Sequence, residues 1–185
     1  MICEFFNTIF SAASLNRSNR ESEIQKTLAI YNDSRKMLDN LRIDGDATGS
    51  IGIECLKIAY RNILCAKLTT YIDRSKKLSE QIPEKVVPTL SKTREIFDEI
   101  TTKSCPDMGI FFTSVISILK TIDKSKILWK KDKKYCAMCI QNQTTLYEGL
   151  WLHYYNVLKK KDAELLYKYH IIDGIPQSEL FAIAE

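Results

Sequence analysis

DKSKILWKKDKKYCAMCIQ, residues 123–141, is where the apolar spacing of the chain changes. Before it, apolar residues recur at helical steps. Within it, lysines crowd around Trp129 with no helical apolar spacing over a useful length, and KYCAMCIQ then reads as a strand. This divides the chain into a helical domain over 1–122, a basic linker over 123–134 and a small β-rich domain over 135–185. The expected fold class is mainly α, an N-terminal five-helix bundle followed by a small β-rich C-terminal domain.

Upstream, Ile2 to Ala12 reads as a short first helix with Phe5, Phe6, Ile9 and Phe10, and SLNRSNRES (14–22) reads as a polar loop. A second helix starts at Ser22 as cap, with Ile24, Leu28, Tyr31, Leu38 and Leu41 on one stripe. IDGDATGS (43–50) is turn chemistry. The third helix keeps Ile53, Leu56, Tyr60, Ile63, Leu64, Leu68, Tyr71 and Ile72 at helical spacing to about Leu78, and IPEKVVP with Pro83 and Pro88 breaks it. A fourth follows with Ser91 as cap and Ile96, Phe97 and Ile100 inward. Pro106 opens a fifth, whose buried face is Ile110, Phe111, Val115, Ile118, Leu119 and Ile122. Downstream, NQTTLYEG (142–149) gives turn signals around a short strand and LWLHYYNVL (150–158) a third strand. KKKDAELLYKYHIIDGI (159–175) gives one short helix, with Ile171 and Ile172 in a last strand.

The composition is that of an ordinary soluble globular chain: 185 residues, 45% apolar and 27% charged. A net charge of +4 is too small to announce nucleic-acid binding. Its distribution is uneven. Residues 120–168 carry 11 Lys and Arg against 5 Asp and Glu, whereas residues 1–119 carry 16 against 15. The apolar start MICEFFNTIFSAA lacks a basic leader, so no signal peptide is expected, and no apolar run reaches a membrane span. Six cysteines without a secretion signal imply free thiols in a reducing compartment.

Catalytic chemistry finds little footing. No Gly-rich phosphate loop, HExxH, GxSxG or paired-carboxylate cluster occurs, and His153 and His170 are the only histidines. No enzyme activity, cofactor or metal is expected. Cys136 and Cys139 form a single CxxC pair, and on a strand they would point to opposite faces and hold no common ion. The lysines at 120, 124, 126, 130, 131, 133 and 134, with Trp129 among them, read first as a solvated linker and second as a phosphate-contacting patch.

Several stretches resemble, in order, the first subunit of GINS, the four-subunit eukaryotic replication complex. They are MICEF at the start, AYRNILCAKLTTYIDR (59–74), VVPTL (86–90), MGIFFTSVISILKTI (108–122) and DAELLYKYHIIDGI (162–175). In that family Val115 would be aromatic, and the tail PQSELFAIAE runs past the usual end. The resemblance implies a nuclear, non-catalytic scaffold in a heterotetramer with three other GINS subunits. It implies association with the MCM helicase ring, its RecJ-like cofactor and a replicative polymerase, weak or indirect DNA contact and no membrane. It assigns Arg61, Tyr71 and Arg74 to helix contacts and Phe111 and Phe112 to a subunit interface. Leu165, Tyr169, Ile171 and Ile172 would hold the small domain together or present its docking face. The helical body alone would then assemble, with residues from Lys133 onward dispensable for that step. The alternatives are the fourth GINS subunit, a stand-alone basic nucleic-acid-binding protein and, more distantly, a CxxC thiol enzyme.

Overall fold

The computed structural model describes residues 2–43, 49–78, 87–158, 164–181 and 183; the side chains of 2–12 and 76–78 fall outside it. Helix α1 runs unbroken over Ile2–Lys36 and ends in a 3-10 turn, Met37–Asn40. The loop expected at 14–22 and the cap expected at Ser22 are therefore corrected. No Gly or Pro interrupts residues 2–36, and the polar stretch is held by an Arg17–Glu21 pair one turn apart at 2.8 Å. The side chains of Phe5, Phe6, Ile9 and Phe10 lie outside the described residues.

The third expected helix is present as α2 (Ile53–Ile58), a π-helical stretch (Ala59–Cys65) and α3 (Ala66–Leu78) in direct succession. Gly52 starts it with φ +75°, which permits the tight return onto Leu41, whose carbonyl accepts the Gly52 N–H at 2.9 Å. Helix α4 (Leu90–Glu99) is capped two residues earlier than expected. Thr89 Oγ1, not Ser91, accepts the Lys92 N–H at 3.2 Å. It continues as a π-helical stretch (Ile100–Ser104), and the chain turns by 111° at Cys105 into α5 (Pro106–Lys124). Pro106 sits in the first turn as expected. On α5, Phe111, Phe112, Val115, Ile118, Leu119 and Ile122 are buried, but Ile110 is 51% exposed, because it lies on the solvent side of that stripe.

The β-rich domain is corrected. Among the described residues there is no β-strand, and the segment expected to be linker and strands forms α6 (Lys130–Gln143) and α7 (Leu146–Leu158). Helix α6 buries Asp132, Cys136, Ala137 and Ile140. That is a helical stripe whose first member is polar, which hides it from an apolar count. Asp132 also caps the helix, its Oδ2 accepting the Trp129 N–H at 2.9 Å. Helix α7 is buried on nearly every side, from Glu148 through Leu152 and at Tyr154, Asn156 and Leu158. An all-round apolar helix has no period to read and resembles a buried strand in sequence. Its start is a reciprocal cap: Glu148 accepts the Thr145 N–H, and the Glu148 N–H reaches Thr145 Oγ1 at 3.4 Å.

The short α8 (Glu164–Lys168) stops at His170, which has φ 60°. The Ile171 N–H bonds Leu166 O at 2.9 Å and the His170 N–H bonds Tyr167 O at 3.1 Å, a pair of backbone bonds that closes a helix end. Ile171 and Ile172 follow in a turn rather than a strand, both buried. Lys159 to Lys161 lie outside the described residues.

One continuous core joins both halves of the chain. Helix α5 packs on α1, α6 and α8, α1 packs on α6, and α7 packs on α2 and α4. Trp151 is the keystone. It stacks on Phe112 at 6.5 Å and meets Phe97 and Tyr60 at 5.6 and 6.1 Å, and its Nε1 donates to Leu56 O at 2.9 Å. The expected boundary at 123–134 therefore does not separate two cores. The turn between α5 and α6 holds a buried Leu128, and Ser125 Oγ accepts the Ile127 and Leu128 N–H groups at 3.3 Å each.

Candidate functional site

A concavity of about 710 Å³ lies where the end of α5, one face of α6 and the end of α8 meet. Its floor is apolar: Leu128, Ala137 and the ring of Tyr169 are buried, and Met138, 48% exposed, stands on one wall. Its rim is basic. Lys130 and Lys134, one helical turn apart on α6, are exposed. Lys133 and Lys168 approach from either side of Asp123.

Asp123 organises that end of the groove. Its carboxylate accepts from Lys168 Nζ and, at 2.8 Å, from Tyr169 Oη, while its backbone carbonyl accepts Lys133 Nζ at 2.6 Å. The hydrogen bonds from Lys168 and then Tyr169 hold the Asp123 carboxyl below the usual carboxylate range. Burial, with the Asp123 charge beside it, pushes the Tyr169 phenol upward, so it remains a donor. Lys133 and Lys168 are thus committed within the chain. Lys130 and Lys134 make no ion pair with the described residues.

On the far side of α6, Trp129 is 57% exposed with the Arg20 guanidinium 3.8 Å from its ring centroid. Arg20 also grips Asp132, so this aromatic is fixed in place by an ion pair between α1 and α6.

The residues singled out from sequence fall in three places. Arg61 is exposed, its guanidinium 5.7 Å from the Tyr147 ring centroid. Tyr71 and Arg74 line a second, shallower groove of about 530 Å³ between α3 and α4, where Lys67 pairs with Glu99 at 2.5 Å. Phe111 and Phe112 are both core residues, their rings 5.6 Å apart, with nothing left to offer a partner. Leu165 packs partly buried against the core, Tyr169, Ile171 and Ile172 are buried, and Tyr169 alone of these borders the main groove. Lys130, Lys134 and Met138 were legible only as linker or strand residues. Their helical spacing of four and eight was the available signal.

Cys136 and Cys139 lie on a helix, so the opposite-face argument against a shared ion does not hold for them. Cys136 is fully buried, and burial pushes its thiol up to about 11, which makes it a poor nucleophile. Among the described residues no group of three or more His, Cys, Asp or Glu side chains is placed to hold a metal. No single helix among them is long and apolar enough to cross a membrane. Compared with known proteins, the chain matches no family model, no curated sequence and no solved structure.

Proposed function

We propose that this chain is a non-catalytic scaffold subunit of a GINS-type heterotetramer, of the first-subunit type, acting in the nucleus as part of the replicative helicase. The ordered sequence likeness from MICEF through AYRNILCAKLTTYIDR to DAELLYKYHIIDGI carries the reading. A mainly helical body supports it, as do the large apolar side chains left on its surface, among them Ile110, Trp129, Tyr135 and Met138. Its partners in this reading are three sister subunits, the MCM ring with its RecJ-like cofactor and a replicative polymerase. Arg61, Tyr71 and Arg74 face sister helices. The docking role expected of a β-rich domain passes to the helical surface of α6 and α8.

Co-expression with the three sister subunits of the same genome tests the proposal. A stable heterotetramer through size exclusion supports it, and a chain that elutes alone refutes it. The fourth-subunit reading is separated by asking which single sister the chain replaces. A stand-alone basic nucleic-acid-binding role is the second reading, favoured by the exposed lysines of α6. A lone chain that shifts a DNA duplex with a steep salt dependence would establish that role instead.

A further inference from the structure

We infer that the groove between α6 and the end of α8 is a docking site for an acidic amphipathic helix of a partner protein. The inference concerns the isolated chain and does not rest on which assembly it joins. Two observations fix the chemistry of the occupant. The first is charge. Lys130 and Lys134 project from successive turns of one helix and make no ion pair with the described residues. Carboxylates spaced four apart on a partner helix present the matching pair. The second is the floor. Leu128 and Ala137 form an apolar floor with Met138 on the wall beside it, a surface suited to an aliphatic or aromatic anchor. An amphipathic helix supplies both at once, carboxylates along its flank and an apolar anchor toward the floor.

Nucleic acid fits this groove less well. A phosphate track needs cations along its length, yet Lys133 and Lys168 are drawn onto Asp123, which places a carboxylate at one end of the groove. Of the rings that border the groove, exposed His170 is tied to Asp173 at 2.6 Å, and Tyr169 is buried with its hydroxyl spent on Asp123. It offers no open face on which a base could stack.

The test uses the full chain and a fluorescein-labelled helical peptide carrying Glu at four-residue spacing on one flank and Leu and Phe on the other. Fluorescence anisotropy gives its affinity. The combined Lys130→Glu, Lys134→Glu variant is expected to weaken binding by about tenfold or more, and Met138→Asp by a similar factor. Lys131→Glu, exposed on α6 but outside the groove, should leave affinity within about twofold. All four positions are exposed, and unchanged circular dichroism and melting temperature confirm that each variant folds. A peptide with Gln for Glu should bind about tenfold more weakly. Failure of the Glu peptide to bind, or equal binding by wild type and the Lys130/Lys134 variant, overturns the inference. So does equal binding of the Gln peptide, or an oligothymidine probe that binds in a Lys130-dependent way and is not displaced by the peptide.

Discussion

The Arg20 guanidinium holds the carboxylate of Asp132 with two hydrogen bonds, 2.8 Å from Nε and 3.1 Å from Nη2, across 112 residues of chain. Both side chains are largely buried, 15% and 8% exposed. Asp132 additionally caps α6 through the Trp129 N–H. Removing either partner strands the other with part of its charge buried, so Arg20→Ala and Asp132→Ala should each cost about 2 kcal/mol. The double variant should cost clearly less than the sum, and urea unfolding of all four proteins reads the coupling.

On the acid side the pH dependence of stability has two expected steps. Burial lowers the His153 pKa, so the folded state binds its proton less readily than the unfolded chain. Stability supplied by neutral His153 is complete above about pH 6.5 and is lost as pH falls below that value. The hydrogen bond from Arg20 lowers Asp132, and those from Lys168 and Tyr169 lower Asp123. Their contributions are complete above about pH 4 and disappear below it. Denaturation midpoints measured from pH 8 to 3 should fall in these two stages, and His153→Gln should remove the first.

Trp151 offers a direct test of the single core. The chain has two tryptophans, one buried and one exposed. In Trp129→Phe protein the remaining emission should resist acrylamide quenching until unfolding. Trp151→Phe should cost about 1–2 kcal/mol through the lost bond to Leu56 O and the smaller ring. Trp151→Ala should cost about 3–5 kcal/mol. Deleting residues 133–185 takes away Trp151, Ile140 and Tyr154 together, so the remaining piece should fail to give a cooperative melt, contrary to the dispensability that a linker at 123–134 implies.

Backbone conformation sets two opposite outcomes. A Cβ at Gly52 would lie 3.4 Å from Asp39 O on a residue with φ +75°, so Gly52→Ala should destabilise by about 1–2 kcal/mol. His170 holds a left-handed φ without being glycine, and its side chain is exposed. His170→Gly should therefore raise stability by about 0.5–1 kcal/mol despite losing the 2.6 Å contact to Asp173. Thermal melts of the two variants should shift in opposite directions.

Thiol chemistry should separate the CxxC pair. Brief alkylation of the native chain at pH 8, mapped by mass spectrometry, should modify half-buried Cys139 well before buried Cys136. Equal rates would mean that α6 opens readily from the core.

The helices with a clean apolar stripe were legible in the sequence. Leu56, Leu64, Leu68, Ile96, Phe97, Phe111 and Val115 point inward as their spacing requires. The readings that failed over α6 and α7 share a cause, burial that includes polar residues or surrounds the helix, whereas the loop expected at 14–22 is an exposed polar stretch of α1 with no apolar stripe to read. Asp132 begins the buried face of α6, and α7 has no exposed face to mark a period. One overlooked cue was local and physical, the Thr145-x-x-Glu148 pattern that opens α7. The groove was less legible. Lys130, Lys134 and Lys168 are visible as charges in sequence, but only the packing of α5 on α6 and α8 brings them around one apolar floor.

The length of α1 has a consequence for the order in which the protein is made. Its inward ties, Arg20 to Asp132 and Arg35 to Glu148, reach 112 and 113 residues ahead. During synthesis this first helix leaves the ribosome long before the residues that will cover it. It finds its first large packing partner only when α5 emerges, and its ion pairs only with α6 and α7, so the chain closes late and over long loops. A nascent chain of this design exposes α1 until α5 to α7 have been made, the interval in which a chaperone or a co-translationally assembling subunit has access to it.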